Sequence, residues 1–204
     1  MTVEAALKVA AAVLQALAII VTAYFASRGL HTWRHQLLGK RRMEVAEEAL
    51  VAAYKMRDDI HYIRYSMPLS GEGKMRPRQP GESELQAQLK DRYFVPLERA
   101  QTVRDDFAQF LKARVLCEAV FGPDTGRPFQ KIIDVHMHVI HSAEMLVARV
   151  GGDEFTALRP GLEADIWESQ DLDVKARIVS DAVGEIEQFT RGHLRDNGND
   201  RLSP

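Results

Sequence analysis

Cysteine is almost absent from this chain, because Cys117 is the only one among 204 residues. A thiol with no second cysteine in its own chain suits a reducing compartment. An excess of charge of one sign is also missing, since 27 basic and 29 acidic residues leave a formal net charge of −2. This balance removes the bulk electrostatic argument for a nucleic-acid binder, so a direct nucleic-acid partner is not favoured.

The motifs of the common enzyme classes are missing as well. The sequence has no glycine-rich loop before a helix, no cysteine-pair spacing for zinc and no nucleophile elbow. It also has no internal repeat and no low-complexity tract. No cofactor is therefore expected, and an enzyme is not the favoured interpretation.

One long apolar run is present near the start of the chain. Residues Val9–Ser27 carry no charged side chain. About 20 apolar residues, at 1.5 Å of helix per residue, cross a hydrocarbon core of roughly 30 Å. The run predicts a transmembrane anchor over 1–28, with a cleaved signal peptide or a very apolar core helix as alternatives. The single acid and single base in the first eight residues speak against a signal peptide.

Basic residues follow the apolar run and predict its orientation. This basic collar consists of Arg28, Arg34, Lys40, Arg41 and Arg42. Because positive charge is retained in the cytoplasm, we expect a single-pass protein of the bacterial inner membrane, with its N-terminus outside and residues 29–204 in the cytoplasm. A role in topology and in contact with membrane lipid is favoured over specific phosphate recognition.

Small and polar side chains share one side of the predicted anchor. They are Ala11, Gln15, Ala18, Thr22 and Ala26, spaced three or four residues apart. In lipid such a face lets helices approach closely, and an amide near mid-membrane can bond to a neighbouring copy or line a wet lumen. The face predicts a homo-oligomer or a pore. The alternative is an alanine-rich anchor that tolerates one amide.

Apolar periodicity along the rest of the chain predicts helices and no strands. The expected fold class is all-α, with the single N-terminal transmembrane helix followed by a cytoplasmic helical bundle over 29–204. Residues 67–82 are rich in proline and glycine and predict a mobile loop, and 196–204 predict a frayed polar tail. One helix has a clear inward face, formed by Phe129, Ile132, His136, Val139, Ala143, Leu146 and Val150.

Three histidines within six residues on that helix raise the question of a metal site. Asp134, His138 and His141 share a face and have suitable donor atoms. Their spacing spreads them over about 10 Å of helix axis, so a small ion takes two of them easily and the third only with strain. No metal is therefore favoured. The preferred interpretation is a solvated polar face with His136 in the core, and a pH-sensitive contact is the other alternative.

A second polar group contains Arg57 and His61, which lie one helical turn apart. A guanidinium beside an imidazole can stabilise a scissile phosphate and move a proton, as metal-independent ribonucleolysis requires. The carboxylates of Asp58 and Asp59 next to Arg57 would repel phosphate. The favoured alternative is an ion-pair cluster in which Arg57 and Arg64 hold acidic side chains on neighbouring helices.

This Arg57/His61 group resembles the motif of helical HEPN ribonuclease domains, which are frequent in prokaryotic immunity. Those domains carry an arginine and then, after about four to six residues, a histidine, and they dimerise to pair two copies of the motif. The resemblance implies that Arg57 and His61 are catalytic candidates. The chain departs from the pattern because three residues separate them.

A broader resemblance covers more of the chain. The apolar run, Trp33–Lys40, Glu44, Tyr54–Ile60, Ile166–Trp167 and Ala182–Glu187 resemble a group of uncharacterised small bacterial single-span membrane-anchored proteins. In layout the chain is also similar to the membrane accessory proteins of RNA-targeting type VI-B CRISPR systems, which are pore-forming and carry a degenerate HEPN-like motif. That likeness implies an oligomer that permeabilises the inner membrane during phage infection, with a defence-system protein or ribonucleoprotein as partner.

The function predicted from the sequence is therefore a membrane-anchored helical protein that self-assembles through its transmembrane helix, as a pore-forming or membrane-perturbing accessory in antiphage defence. Two alternatives stay open. One is a membrane-tethered HEPN-like ribonuclease, and the other is a non-enzymatic membrane scaffold.

Overall fold

The computed structural model describes residues 3–169 and 173–199, apart from the side chains at 3–13, 27, 29–32, 34–35 and 193–199. Within these ranges the chain forms six α-helices and no strand, which confirms the predicted all-α class. The helices are α1 Val3–Arg64, α2 Glu84–Thr102, α3 Arg104–Phe121, α4 Gly126–Arg149, α5 Phe155–Ile166 and α6 Val174–Asn199, with a 3₁₀ turn at Pro123–Thr125. The chain divides into two compact units, Met1–Met43 and Glu44–Pro204.

The predicted membrane span requires a correction. Within the part of the chain that the structure describes, no helix combines the length and the apolar character needed to cross a bilayer. In the predicted span Val9–Ser27, the described side chains are those of 14–26. The finding contradicts the transmembrane part of the predicted fold class and the single-pass inner-membrane localisation.

Helix α4 lies at the centre of the unit 44–204, where it packs against α2, α5 and α6. Its predicted inward face is confirmed, because all seven side chains are buried: Phe129, Ile132, His136, Val139, Ala143, Leu146 and Val150. The described end of α1 adds Val45, Ala49, Met56, Ile60 and Ile63 to the same core. Burial of large apolar side chains, at about 1.5–3 kcal/mol each, is the main stabilising contribution to this bundle.

A capping box explains where α2 begins, and a proline lies in its interior. Ser83 caps the helix, accepting a hydrogen bond from the backbone N–H of Gln86 while the Gln86 side chain accepts one from the Ser83 N–H. Pro96 lies inside α2, and the helix continues through it to Thr102 although proline lacks the N–H that an interior helix position uses. Pro160 likewise lies inside α5.

The loop 67–82 is fastened to the bundle by two buried arginines. Arg99 donates to both carboxylate oxygens of Glu72, at 3.0 and 2.7 Å, and to the carbonyl of Met67 at 3.0 Å. Arg76 makes a similar two-point contact with Glu82 inside the loop, at 3.0 and 2.7 Å, and it also pairs with Asp91 of α2 at 3.2 Å. Hydrogen bonds from Arg76 and then Lys90 hold the pKa of Glu82 at about 2, well below its ordinary value. These contacts give a segment of loop composition a defined position.

The predicted frayed tail over 196–204 stays a prediction. Helix α6 extends to Asn199 and so includes 196–199. Residues 200–204 lie outside the described part of the chain.

Candidate functional site

A cavity of about 260 Å³ opens beside the last turns of α1, the residues that follow α5 and the start of α6. Helical spacing explains the contribution of α1, since residues three and four apart share a face. Polar side chains at the cavity are Arg57, Asp58, His61, Arg64, Glu168 and Ser180, and apolar ones include Ile60 and Val179. The structure thus places both predicted catalytic candidates, Arg57 and His61, at one cavity.

His61 and Glu168 form the closest polar contact at this cavity. The distance from His61 Nδ1 to Glu168 Oε2 is 2.6 Å. The His61 side chain is 62% exposed and that of Glu168 is 29% exposed, so the pair lies at the cavity mouth. A carboxylate on one ring nitrogen fixes the tautomer and orientation of an imidazole, which leaves the other nitrogen to exchange protons with a ligand.

Arg64 positions Glu168 by holding the residues on either side of it. Its guanidinium is buried and donates to the carbonyls of Asp165 and Trp167, each at 3.0 Å, and pairs with Asp173 at 2.9 Å. The backbone N–H of Glu168 donates to the Arg64 carbonyl at 2.9 Å. One side chain at the end of α1 therefore holds the residues after α5 and those before α6, and with them the carboxylate that contacts His61.

The electrostatics of Asp173 agree with this arrangement. Burial alone would raise the pKa of its carboxyl, but the hydrogen bond from Arg64 and that from the Ala176 N–H outweigh burial and lower it. Asp173 is thus ionised at neutral pH. A buried arginine whose charge is matched in this way is stable in the core, whereas loss of either partner is costly.

Arg57 is placed differently from Arg64. It contacts its own neighbour Asp58, with Nε and Nη2 each 2.9 Å from Oδ1, and its guanidinium lies 5.3 Å from the ring centre of Tyr54. The Arg57 and Asp58 side chains are 46% and 68% exposed. The predicted ion-pair cluster is therefore present for Arg64, which reaches Asp173, while the Arg57 pair stays on the surface of α1.

Two of the three candidate metal ligands on α4, His138 and Asp134, have separate partners. His138 Nε2 lies 3.0 Å from an oxygen of Asp165, and Asp134 accepts a hydrogen bond from Gln130 at 2.6 Å. No group of three or more His, Cys, Asp or Glu side chains that could hold a metal ion occurs among the described residues. Asp134, His138 and His141 are all exposed.

His136, the fourth polar residue of this stretch, lies in the core as predicted. It is 6% exposed and stacks on Phe107 with ring centres 4.3 Å apart, and among the described residues its buried Nδ1 has no hydrogen-bond partner. Burial lowers its pKa to about 4. The imidazole is therefore neutral at physiological pH.

Asp165 organises a cluster that sequence reasoning missed. It accepts hydrogen bonds from Lys175 and from the hydroxyl of Ser142, the latter at 2.9 Å, in addition to its contact with His138. Burial would raise the pKa of Asp165, but these three contacts together lower it. The cluster ties α4, α5 and α6 together next to Arg64. Its members come from three distant segments, so no local sequence pattern signals it.

The predicted association face and basic collar lie in the unit 1–43. Gln15, Ala18, Thr22 and Ala26 are exposed, and the Thr22 hydroxyl donates to the Ala18 carbonyl at 2.7 Å. Ala11 and Arg34 fall outside the described side chains. In the collar, Arg28 donates to Tyr24 at 3.1 Å, and Lys40, Arg41 and Arg42 are exposed. Self-association through the Gln15 face stays a prediction.

Comparison with known proteins gives no relative. No protein-family profile matches the chain, and neither a curated protein nor a solved structure matches it. The resemblances to HEPN domains, to small membrane-anchored proteins and to CRISPR accessory proteins therefore stay predictions, and functional inference depends on the site itself.

Proposed function

We propose that the His61/Glu168 cavity is a general acid–base site that cleaves phosphodiester bonds in RNA. The observation that carries the proposal is the 2.6 Å contact between His61 Nδ1 and Glu168, at a cavity that Arg57 also lines. The sequence pattern alone supplies an arginine and a histidine. The carboxylate that would orient His61 is that of Glu168, which comes from a distant segment of the chain. Its contact with His61 favours an acid–base site over a purely structural cluster.

The chemistry needs a base, an acid and a cation, and His61 serves in turn as the base and as the acid. His61 takes the proton from a ribose 2′-hydroxyl, the bond from that oxygen to phosphorus forms, and the bond from phosphorus to the 5′-oxygen breaks. The protonated His61 then returns its proton to the departing 5′-oxygen. Arg57 stabilises the negative charge that develops on the phosphoryl oxygens, and Glu168 stabilises the imidazolium. The products are a 2′,3′-cyclic phosphate and a 5′-hydroxyl.

The size of the cavity limits the substrate. Its volume of about 260 Å³ lies just below the 300–1,000 Å³ typical of ligand pockets. It has room for one linkage with its sugar, and it is too small for a stacked duplex. The proposed substrate is therefore single-stranded RNA, whose unpaired backbone can enter such a site.

Asp58 is the feature least compatible with phosphate binding. Its contact with Arg57 is exposed, and exposed ion pairs contribute only about 0.2–1 kcal/mol, so a phosphate with two oxygens can replace it. Removal of the Asp58 charge should therefore help the site. We expect Asp58→Asn to bind single-stranded RNA several-fold more tightly than the parent chain.

The test uses the full-length chain and a 5′-labelled single-stranded RNA oligonucleotide in the presence of EDTA. We expect cleavage to 2′,3′-cyclic phosphate ends, reduced about 10²–10⁴-fold by His61→Asn, the range for removal of a general acid–base group. Glu168→Gln should reduce it less, because the imidazole keeps a hydrogen-bond partner without the charge. His141→Asn is the matched control, since His141 is an exposed histidine of α4 away from the cavity.

Stability measurements separate a catalytic role from a structural one. Because the His61 side chain is 62% exposed, His61→Asn should leave the unfolding midpoint close to that of the parent chain. An RNA-cleaving activity that survives His61→Asn unchanged, or that is lost on addition of EDTA, would contradict the proposal. So would a complete absence of RNA cleavage by folded protein.

A further inference from the structure

Tyr65 directly follows α1 and lies next to His61 at the mouth of the cavity. The ring centres of His61 and Tyr65 are 6.3 Å apart, with an angle of 54° between the ring planes. That separation is typical of aromatic rings in direct contact, which lie about 4.5–7 Å apart. A ligand bound at His61 therefore has the Tyr65 ring as an immediate neighbour.

The Tyr65 side chain is accessible to such a ligand. Tyr65 is 43% exposed, and its hydroxyl donates to Met67 Sδ at 3.8 Å. A thioether sulfur is a weak acceptor, so this bond holds the hydroxyl only lightly. Met67 itself is 66% exposed. A tyrosine ring and a methionine side chain thus form an exposed apolar surface beside the proposed acid–base group.

Buried Arg99 fixes the main chain that carries this surface. Its side chain is 1% exposed, and its guanidinium donates to the carbonyl of Tyr65 at 2.6 Å and to that of Met67 at 3.0 Å. It also donates to the carbonyl of Tyr62, in the last turn of α1, at 3.0 Å. The backbone of both surface residues is therefore held in place before a ligand arrives, which lowers the entropy cost of binding there.

The chemistry of this surface favours a nucleobase as its ligand. Unpaired bases of single-stranded RNA stack on aromatic side chains, and a stack of this kind accepts any base because every base has a π-face. Single-strand binding sites combine such stacking with cationic groups that contact the backbone. Here Arg57, at the cavity, supplies the cation and Tyr65 the aromatic ring.

We propose that Tyr65 stacks on the nucleobase next to the phosphate at His61, with Met67 at the edge of the stack. This assignment rests on the proposed function, because a phosphate held at His61 is what brings the neighbouring base to Tyr65. A purine has two fused rings and covers more of the tyrosine than a pyrimidine does. The site should therefore bind single-stranded RNA with a several-fold preference for a purine at this position.

The experiment measures binding separately from cleavage, on the full-length chain. The probe is a short, fluorescein-labelled oligonucleotide of 2′-O-methyl RNA, which has no free 2′-hydroxyl for the proposed chemistry. By fluorescence anisotropy, Tyr65→Ala should bind it about 5- to 150-fold more weakly than the parent chain, the range for loss of one base–aromatic stack. Tyr65→Phe is the matched control, because it keeps the ring and loses only the hydroxyl, and it should bind like the parent.

A second probe, of the same length and abasic throughout, shows whether the lost contact is to a base. The parent should bind the abasic probe about as weakly as Tyr65→Ala binds the complete one. Tyr65→Ala should bind the two probes equally, because its stack is already absent. On cleavable RNA, Tyr65→Ala should raise KM and leave kcat close to the parent value, since the stack is present before and during the reaction.

The outcomes separate this stack from the proposed cleavage. Equal affinity of the parent and Tyr65→Ala for the complete probe would overturn the stack even where His61-dependent cleavage occurs. So would a parent chain that binds the abasic probe as tightly as the complete one, or that binds neither. Binding that depends on Tyr65 and on the bases, without any cleavage, would support the stack and contradict the proposed function.

Discussion

Between pH 7 and pH 5, His136 should lower the free energy of unfolding. Replacement of His136 by leucine should remove most of that loss. His136 is 6% exposed and packs on Phe107, and its Nδ1 has no hydrogen-bond partner in the part of the chain that the structure describes. Its folded-state pKa is about 4, because burial disfavours the charged ring, whereas an unfolded histidine has its ordinary value of 6.5. The folded protein therefore binds this proton more weakly than the unfolded chain does.

The direction and size of the effect follow from that difference in proton binding. The free energy of unfolding is unaffected above pH 6.5 and falls as the pH drops from 6.5 towards 4. For a folded pKa of about 4, the loss between pH 7 and pH 5 is about 2 kcal/mol. That amount is a substantial part of the 5–15 kcal/mol typical of a folded domain.

Asp59 acts in the opposite direction. Burial and then the nearby Asp106 carboxylate raise the pKa of Asp59 to about 6, so the folded protein gains stability relative to the unfolded chain as the pH falls below 6. The Asp59 contribution therefore partly masks the His136 contribution in the parent chain. Because Asp59 is present in both the parent and His136→Leu, its contribution cancels when the two proteins are compared.

The assay is urea unfolding followed by far-ultraviolet circular dichroism at both pH values. Between pH 7 and pH 5, the parent should lose about 2 kcal/mol more than His136→Leu. His141→Leu, an exposed position on the same helix, is the control and should retain the parent's pH dependence. Equal losses for the parent and His136→Leu would refute the reasoning, because the buried histidine would then have the same pKa in the folded and unfolded chain.

Two further outcomes follow from buried groups elsewhere. Arg76→Met removes the contacts that hold the loop 67–82, so trypsin should cut this variant at the exposed Lys74 at least about tenfold faster than the parent chain. Arg104→Met is the control, and trypsin should cut it at Lys74 at the parent rate. Cys117 is buried, and burial raises its pKa to about 12, so iodoacetamide should modify it only in urea. Rapid modification of Cys117 in the native protein would contradict the described core.

The sequence predicts the core of this protein well where a helix is amphipathic. On α4, residues at three- and four-residue spacing identify most of the buried face, including His136, but they miss the buried Val135 and Ser142. Sequence patterns do not predict the position of the loop 67–82. Its proline and glycine content indicates an irregular backbone, but it does not reveal that Arg76 and Arg99 are buried. Those two side chains supply the buried ion pairs that give the loop its position.

The apolar run at 14–26 shows a different limit. Its large apolar side chains Leu14, Ile20 and Phe25 are each more than 60% exposed. A run of such side chains indicates that the segment contacts another apolar surface. Composition does not identify what covers it. The prediction of a membrane-spanning helix assigned that role to lipid, and no described helix of the chain meets the requirements of such a span.

Only half of the candidate site is visible in the sequence. Helical spacing alone places Arg57 near His61, but Glu168 lies more than 100 residues further along the chain and reaches His61 because Arg64 fixes the residues after α5.

The three arginines Arg64, Arg76 and Arg99 show why charged residues cannot be assigned to the surface by type. All three are buried, and each donates to at least one main-chain carbonyl of an irregular segment as well as to a carboxylate. Their hydrogen-bonding groups are therefore committed to holding loops. At the cavity this matters for chemistry, because Arg64 has a buried partner whereas the Arg57 contact is exposed and weak. Of these two cavity arginines, Arg57 is thus the one that can exchange its carboxylate for a phosphate without unfolding the bundle.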